Sequence, residues 1–244
     1  MELSVVIPAY LEAENLRTLL PELTQVLRGI ASDFEVLVVD TAEPMDETEG
    51  ICDRWGVRCV RREGGNAYGD AIRTGFAKAA GTYVAVMDAD GSHDPKDLTR
   101  FYQEMTGGED FDLIIGSRYC KGGSTDNPLP LILMSLALNI SYRLLFGLKV
   151  RDVSDSYRLY QGDQVRALHL RCDNFDIVEE ILIAQKYAVP DFSAKEVPIR
   201  FRKRGAGDSK RKLGRFILTY LQTMHRLLGI KRSLRREQGK ETTP

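Results

Sequence analysis

The first half of the chain alternates short, uninterrupted apolar runs with segments whose apolar residues recur every three or four positions. Uninterrupted apolar strands between helices are typical of a parallel sheet that is covered by helices on both faces. The pattern therefore predicts the α/β fold class. Strands are predicted at residues 3–7, 35–40, 57–60, 83–87 and 113–115. Ligands bind such sheets beyond the carboxyl ends of the strands, so the polar residues after each run are the first candidates for a site.

The alternation stops after residue 120. Residues 131–148 form a strongly apolar segment, and a helix is predicted at 177–187 between two further strands at 152–160 and 195–201. No segment reaches the about 18 uninterrupted apolar residues of a membrane-spanning helix. No secretory signal is predicted before the first strand either.

The net charge of −1 conceals two parts of opposite sign. Residues 200–240 contain 14 of the 34 Lys and Arg residues but only 2 of the 35 acidic residues. Such a basic segment indicates an anionic partner, which can be a phosphate group, a nucleic acid or a membrane. The length fits one domain at 1–212, followed at 213–244 by an amphipathic helix, predicted over 213–230, and a basic tail.

Two carboxylates follow the fourth predicted strand directly. Asp88 and Asp90 are one residue apart, and such a pair can share a divalent cation while leaving coordination positions for phosphate oxygens. The alternative is a simple strand-to-helix turn, in which Asp94 and Pro95 begin the next helix. An isolated Asp-x-Asp pair is a weak motif, but its position at the end of a central strand favours the metal site.

Further ordered motifs run through residues 3–212. They are VVIPAYLEAEN at 5–15, VVD at 38–40, VMDADGSHDP at 86–95, GSRY at 116–119, GG at 122–123, VRD at 150–152, YRLY at 157–160, EVPI at 196–199 and RGAGDSK at 204–210. Together they resemble family 2 glycosyltransferases, in the branch of the dolichol-phosphate and polyprenyl-phosphate mannose synthases. The resemblance implies the GT-A fold, with a mostly parallel central sheet flanked by helices.

The resemblance also implies roles for individual residues. Asp88, Asp90 and Arg204 are expected to be catalytic, and Asp88 and Asp90 to hold Mg²⁺ or Mn²⁺. The family's third metal ligand is a Gln that aligns with Ser92, and His93 is adjacent. The expected nucleotide-sugar-binding residues are Pro8, Tyr10, Glu12, Val39, Asp40, Asp88, Ala89, Asp90, Arg118, Arg204 and Lys210. For the basic members the chemistry agrees, since guanidinium groups bind phosphate oxygens in a bidentate manner and Lys supplies a point charge.

Three positions depart from the family pattern. A second acidic residue usual after Asp40 is Thr41, and an arginine expected to contact the acceptor phosphate is Leu131. The family's small Ser-Gly pair is Asp155-Ser156. The lost arginine and the gained carboxylate favour a second interpretation, in which a hydroxyl acceptor is activated by Asp155 as a general base.

The leading functional prediction is an inverting, metal-dependent transfer of a sugar from a nucleotide-diphosphate sugar to a polyprenyl phosphate. The enzyme alternative is transfer to a saccharide or small metabolite with Asp155 as base. The non-enzyme alternative is a catalytically silent basic adaptor that binds a membrane or nucleic acid, and the carboxylate pair argues against it. The expected partners are the nucleotide sugar, the acceptor and an anionic membrane surface, with no nucleic acid. The expected location is the cytoplasm, peripheral to the inner face of the membrane.

Overall fold

The computed structural model describes residues 1–203, 222–229 and 231–232. Its centre is a seven-stranded sheet with the strand order β3-β2-β1-β4-β7-β5-β8, and β6 and β9 form a separate pair. The elements are β1 (Leu3–Pro8), α1 (Ala13–Arg28), β2 (Phe34–Asp40), α2 (Thr48–Trp55), β3 (Arg58–Arg61), α3 (Tyr68–Lys78), β4 (Tyr83–Val86), α4 (Asp97–Thr106), β5 (Leu113–Ser117), β6 (Ser124–Thr125), α5 (Leu129–Phe146), β7 (Arg158–Gln161), α6 (Gly162–Arg166), α7 (Ile177–Ala188), β8 (Ala194–Pro198) and β9 (Arg200–Phe201).

Helices cover both faces of the sheet. One apolar cluster contains buried residues of α1, α2 and α4, and the other contains buried residues of α3, α5 and α7. Strands β1, β2, β3 and β4 are parallel to one another, and so are β5 and β8. The predicted α/β class with a mostly parallel sheet is confirmed.

Strand β7 runs antiparallel between β4 and β5. Its first residue, Arg158, pairs with Val86 and Ile115, so β7 begins at the edge where β4 and β5 end. The predicted strand at 152–160 was too long, because the side chains before Arg158 bond to the local backbone. Asp155 Oδ1, for example, accepts a hydrogen bond from the Tyr157 N–H at 2.9 Å. Such local bonds compete with a strand ladder.

The predicted strand at 195–201 is divided in two. Strand β8 pairs with β5, whereas β9 leaves the main sheet and pairs with the short β6. Ile199, between the two strands, is buried, and its N–H donates to the carbonyl of Ser117 at 3.1 Å. The break directs residues 200–203 towards the segment that follows β5.

Helix α5 is 18 residues long, and its buried residues are Asn139, Tyr142 and Phe146. Large apolar side chains lie on its outside, with Leu144 at 80% and Leu129 at 65% exposure. By length and composition alone α5 is able to cross a membrane, although polar residues interrupt it. The sequence-based criterion of about 18 uninterrupted apolar residues did not select this helix, because Ser135, Asn139, Ser141 and Arg143 interrupt it.

The described part of the predicted C-terminal helix packs on the domain. Residues 222–229 are helical, Leu227 is buried, and Met224 and Leu228 contact the same apolar cluster. The Thr223 hydroxyl donates to Asp176 Oδ2 at 2.7 Å. In these residues the apolar stripe therefore faces the protein. The predicted division at residue 212 lies outside the described residues and stays a prediction.

Candidate active site

The carboxyl edge of the sheet brings most of the predicted site residues together. Parallel pairing of β1 with β2 and β4 places Pro8, Asp40 and Asp88 at one edge. Because β7 begins at that edge, the preceding segment 152–157 reaches the end of β4. Tyr68 of α3 and Ser156 of this segment therefore both reach Asp88.

Two hydroxyl groups hold the Asp88 carboxylate. Tyr68 Oη donates to Asp88 Oδ1 at 3.1 Å, and Ser156 Oγ donates to Asp88 Oδ2 at 2.9 Å. Burial raises the pKa of Asp88, His93 opposes the rise, and the neighbouring Asp90 carboxylate adds to it. Asp88 is thus a partly buried carboxylate, oriented by two hydroxyl groups and next to a second negative charge, an environment that a cation would stabilise.

Asp90 is buried and closes a tight local turn. Asp90 Oδ1 accepts hydrogen bonds from the Ser92 N–H at 3.0 Å and from Ser92 Oγ at 2.5 Å. The two carboxylates fit a divalent cation, because hard oxygen ligands suit Mg²⁺ and Mn²⁺ and the positive charge would offset the cost of burial. Within the described ranges no group of three His, Cys, Asp or Glu side chains is arranged to hold a metal. Further ligands would then be hydroxyl, water or diphosphate oxygens.

His93, the alternative third ligand, has both ring nitrogens directed at protein groups. Its Nδ1 accepts a hydrogen bond from the Asp88 N–H at 3.2 Å, and its Nε2 lies 3.4 Å from Asp155 Oδ1. The imidazole ring stacks on Tyr157 with centroids 4.7 Å apart. These contacts leave Ser92, whose oxygen keeps lone pairs, as the better candidate for a third ligand.

Arg118 lies in a buried ion-pair network. Its Nε and one terminal nitrogen each contact Asp152 at 2.7 Å, and its Nε lies 3.2 Å from Asp155 Oδ2. The guanidinium is also flanked by the rings of Tyr119 and Phe201, at 5.1 and 5.5 Å. Most of its donors are therefore directed at carboxylates, and the predicted contact with phosphate stays a prediction.

Asp155 is fully buried at the centre of this network. Burial alone would raise the pKa of its carboxyl group, but Arg118 and His93 together lower it. A carboxylate that is stabilised by two cationic or donor partners is a weak base. The environment therefore disfavours the predicted role of Asp155 as a general base for a hydroxyl acceptor.

Two arginines bind to the segments that are expected to contact the nucleotide. Asp40 is buried and accepts a hydrogen bond from Arg61 at 2.6 Å. Arg62 donates to the carbonyl oxygens of Ala9, Asn66 and Ala67 and so joins the loops after β1 and β3. Val39, also buried, accepts from the Ala9 N–H at 3.0 Å.

The loop after β1 presents two of the predicted nucleotide contacts. Tyr10 is 43% exposed, and the Arg62 guanidinium lies 5.9 Å from its ring centroid. Glu12 precedes α1 and accepts a hydrogen bond from the Asn15 side chain. The neighbouring Ala89 is buried. Arg204 and Lys210 lie outside the described residues, so their predicted roles are not placed.

Sequence reasoning missed Tyr68, Arg62 and the partners of His93. Tyr68 is 20 positions from Asp88, and nothing in the local pattern of α3 indicates that its hydroxyl reaches a strand end. The sequence did show that Asp155-Ser156 departs from the family pattern. This departure was the available signal of the network, since both residues contact the Asp88 turn.

Comparison with solved structures identifies the fold. Glucosyl-3-phosphoglycerate synthase from Mycobacterium tuberculosis, solved with Mn²⁺, UDP and glucosyl-3-phosphoglycerate, matches with a TM-score of 0.71 at 18% identity. The match covers 93% of this chain and 79% of that one. At this identity the likeness concerns the fold, which is the GT-A fold of nucleotide-sugar transferases.

The sequence comparisons identify the family. Residues 4–167 match the model of glycosyl transferase family 2, and the chain belongs to this family. A dolichol-phosphate mannosyltransferase of Pyrococcus furiosus is 33% identical over 93% of this chain, which spans 64% of that relative. A polyprenol monophosphomannose synthase of Mycolicibacterium smegmatis is 31% identical over 84% of this chain and 79% of the relative. An undecaprenyl-phosphate mannosyltransferase of Micrococcus luteus is 32% identical, with coverages of 86% and 87%.

Proposed function

We propose that the protein transfers a sugar from a nucleotide-diphosphate sugar to a polyprenyl phosphate, with inversion at the anomeric carbon. The observation that carries the proposal is the Asp88–Asp90 pair at the carboxyl edge of the sheet, in a chain whose relatives are named as dolichol-phosphate, polyprenol-phosphate and undecaprenyl-phosphate mannose transferases. Mannose is therefore the first sugar to test.

The acceptor chemistry agrees with the electrostatics of the site. A phosphate acceptor is ionised at neutral pH, so its oxygen attacks the anomeric carbon without a strong base while the bond to the nucleoside diphosphate breaks. The pKa of Asp155 is lowered, so its carboxylate is a weak base, which fits an acceptor that needs no base. The chain then mainly has to bind both substrates in line.

Mg²⁺ or Mn²⁺, held by Asp88, Asp90 and Ser92, would neutralise the charge that develops on the leaving diphosphate. Tyr68 and Ser156 orient the Asp88 carboxylate through their hydroxyl groups. Asp40, Tyr10 and the other residues after β1 and β2 are proposed to contact the nucleoside. Arg204 and Lys210 are proposed to contact its phosphates, as the family resemblance implies.

A lipid acceptor requires access to a membrane surface, and α5 has the composition for it. Its exposed side chains include Leu133 and Leu144, while the buried Asn139 and Tyr142 hold its other side on the domain. Lys231 donates to the Leu145 carbonyl oxygen at 2.6 Å, which places a basic residue at the end of this helix. An apolar face flanked by basic residues is typical of helices that lie in an anionic interface, where each basic residue contributes about 1 kcal/mol.

This attachment is tested by co-sedimentation with liposomes. The protein is expected to sediment with anionic vesicles, and less with neutral ones, and high salt is expected to weaken the binding because it screens exposed charges. Absence of binding to anionic vesicles at low salt would contradict the peripheral location. A soluble acceptor would then become the better hypothesis.

The function itself is tested by incubating the full chain with a panel of nucleotide sugars, a short-chain polyprenyl phosphate and Mn²⁺ or Mg²⁺. Mass spectrometry is expected to find a polyprenyl phosphosugar, with loss of product in Asp90→Asn. The exposed Asp110 supplies the matched control, since Asp110→Asn removes the same charge away from the site. Sugar transfer only to hydroxyl acceptors would contradict the proposal.

A further inference from the structure

Three consecutive residues, Asp155, Ser156 and Tyr157, all contact the turn that carries the metal-binding pair. Asp155 Oδ1 lies 3.4 Å from His93 Nε2, and Ser156 Oγ donates to Asp88 Oδ2 at 2.9 Å. Tyr157 stacks on the His93 ring and donates its hydroxyl to the carbonyl oxygen of Asp94 at 2.9 Å. The tripeptide therefore contacts both the beginning and the end of the turn at 88–94.

The two ring nitrogens of His93 face different groups. Nδ1 accepts a hydrogen bond from the Asp88 N–H, and Nε2 is the ring nitrogen that faces Asp155, at 3.4 Å. The ring thus connects the Asp88 peptide to the Asp155 carboxylate. Asp155 is held in turn by Arg118, whose Nε is 3.2 Å away.

This arrangement explains why Asp155-Ser156 stands where the family that the chain resembles has Ser-Gly. A serine at position 155 would be too short to reach His93, and a glycine at position 156 would have no hydroxyl group to donate to Asp88. All four side chains of this arrangement, those of His93, Asp155, Ser156 and Tyr157, are buried. Hydrogen-bond partners of metal ligands orient those ligands, and their loss typically costs about 10–100-fold in metal affinity.

We propose that Asp155 and His93 are positioning residues for the donor half of the reaction. Asp155 orients the His93 ring, and His93 fixes the Asp88 peptide so that the carboxylate pair is aimed at the metal and the diphosphate. This inference rests on the proposed sugar transfer, and it replaces the view of Asp155 as an acceptor base. Ser156 acts in parallel on the Asp88 side chain.

Two matched pairs of variants test the inference. In His93→Asn the amide oxygen takes the place of Nδ1 and retains the acceptor for the Asp88 N–H, whereas His93→Gln retains only a donor towards Asp155. In Asp155→Asn an oxygen still faces His93, whereas in Asp155→Ser the side chain is too short. Both members of the His93 pair lose the ring, so their difference isolates the contact with Asp88.

The readout is the affinity for Mn²⁺ with UDP or GDP, whichever binds the wild type, measured by calorimetry without acceptor. We expect His93→Gln and Asp155→Ser to weaken this affinity about tenfold or more, and His93→Asn and Asp155→Asn to stay within about threefold of the wild type. In steady-state assays the donor KM should rise in the first two variants, while the KM for polyprenyl phosphate stays unchanged.

The opposite pattern would overturn the inference. If Asp155→Asn abolishes transfer while the nucleotide affinity is unchanged, Asp155 is the acceptor base. If His93→Gln folds and binds as tightly as His93→Asn, the histidine has a packing role only. Should His93→Gln not fold, the Asp155 pair decides the question alone. Failure of the proposed function is seen separately, as the absence of a polyprenyl phosphosugar product in the wild type.

Discussion

The two halves of the chain place their apolar and charged side chains in opposite ways. In the first half, α1 buries six apolar residues on one face and exposes charged ones on the other. In the second half, α5 buries Asn139 and Tyr142 and exposes leucines. An exposed apolar face of this kind is typical of a surface that binds another molecule or a membrane. The comparison separates the Asp88–Asp90 edge, which belongs to a conventional α/β layer, from the exposed apolar face of α5, which we propose to contact a membrane surface.

The interior of the second half also contains fully buried charged side chains. Arg158 is fully buried and donates to the carbonyl oxygens of Val153, Asp155 and Val178 at 2.7–2.8 Å. Buried networks of this type specify a conformation when every donor has a partner. The shape of the 152–157 segment therefore depends on charged side chains, whereas the first five strands depend on apolar packing.

The largest expected effect concerns the donor edge. Asp90→Asn keeps the volume of the side chain and removes one charge from the carboxylate pair, so transfer activity should fall by about a hundredfold or more. Thermal stability and liposome binding should stay as in the wild type, because the substitution leaves the exposed apolar side chains of α5 unchanged. An Asp90→Asn enzyme with full activity, or full activity in excess chelator, would contradict the role of the metal.

The second-largest effect is expected on stability, when the buried guanidinium of Arg158 is removed. Arg158→Met leaves three carbonyl oxygens without their donor and should lower the free energy of unfolding by about 3–5 kcal/mol. The exposed Arg28 provides the control, since Arg28→Met should change it by less than about 0.5 kcal/mol. Urea denaturation measures both. Equal stability of the two variants would remove the contrast between apolar and charged interiors.

A smaller, pH-dependent effect is expected from Glu179. Burial raises its pKa to about 8, and neither carboxylate oxygen has a hydrogen-bond partner in the described part of the chain. The folded state therefore keeps a proton that the unfolded state releases near its usual pKa of 4.5. This contribution to stability is complete below pH about 4.5 and is lost as the pH rises to about 8.

Glu179→Gln removes this titration. The unfolding free energy of the variant should exceed that of the wild type by an amount that grows between pH 5 and pH 8, up to a few kcal/mol. Denaturation curves at several pH values measure the difference. A difference that does not change with pH would show that Glu179 is not protonated in the folded state.

The smallest effect on stability, and the most specific for α5, is expected at Leu144. Since this side chain is 80% exposed, Leu144→Ser should change the free energy of unfolding by less than about 0.5 kcal/mol. It should weaken binding to anionic liposomes several-fold, because less apolar surface enters the interface. Gln25→Ser, at an exposed polar position, serves as control, and equal binding of both variants would argue against α5 as the contact.

The first five strands could be predicted from the sequence, because uninterrupted runs of Val, Ile and Leu between helices rarely form anything other than buried parallel strands. The sequence also sufficed for the family, through ordered motifs such as VMDADGSHDP at 86–95. It did not show that β7 lies antiparallel between β4 and β5, because the sequence of a short strand does not indicate which strands pair with it. Nor did it show that Arg118 pairs with Asp152, 34 positions away, because a basic residue after a strand fits a phosphate as well as a carboxylate.

The most direct test of the two-environment account is hydrogen–deuterium exchange of the full chain, followed by mass spectrometry, with Mn²⁺ plus nucleoside diphosphate and, separately, with anionic liposomes. Nucleotide should slow exchange in peptides that cover residues 88–93 and leave those of 129–146 unchanged. Liposomes should slow exchange in 129–146 and leave 88–93 unchanged. If liposomes protect no peptide of α5, or if nucleotide protects α5 and not the Asp88 turn, the assignment of donor and membrane to these two separate surfaces is contradicted.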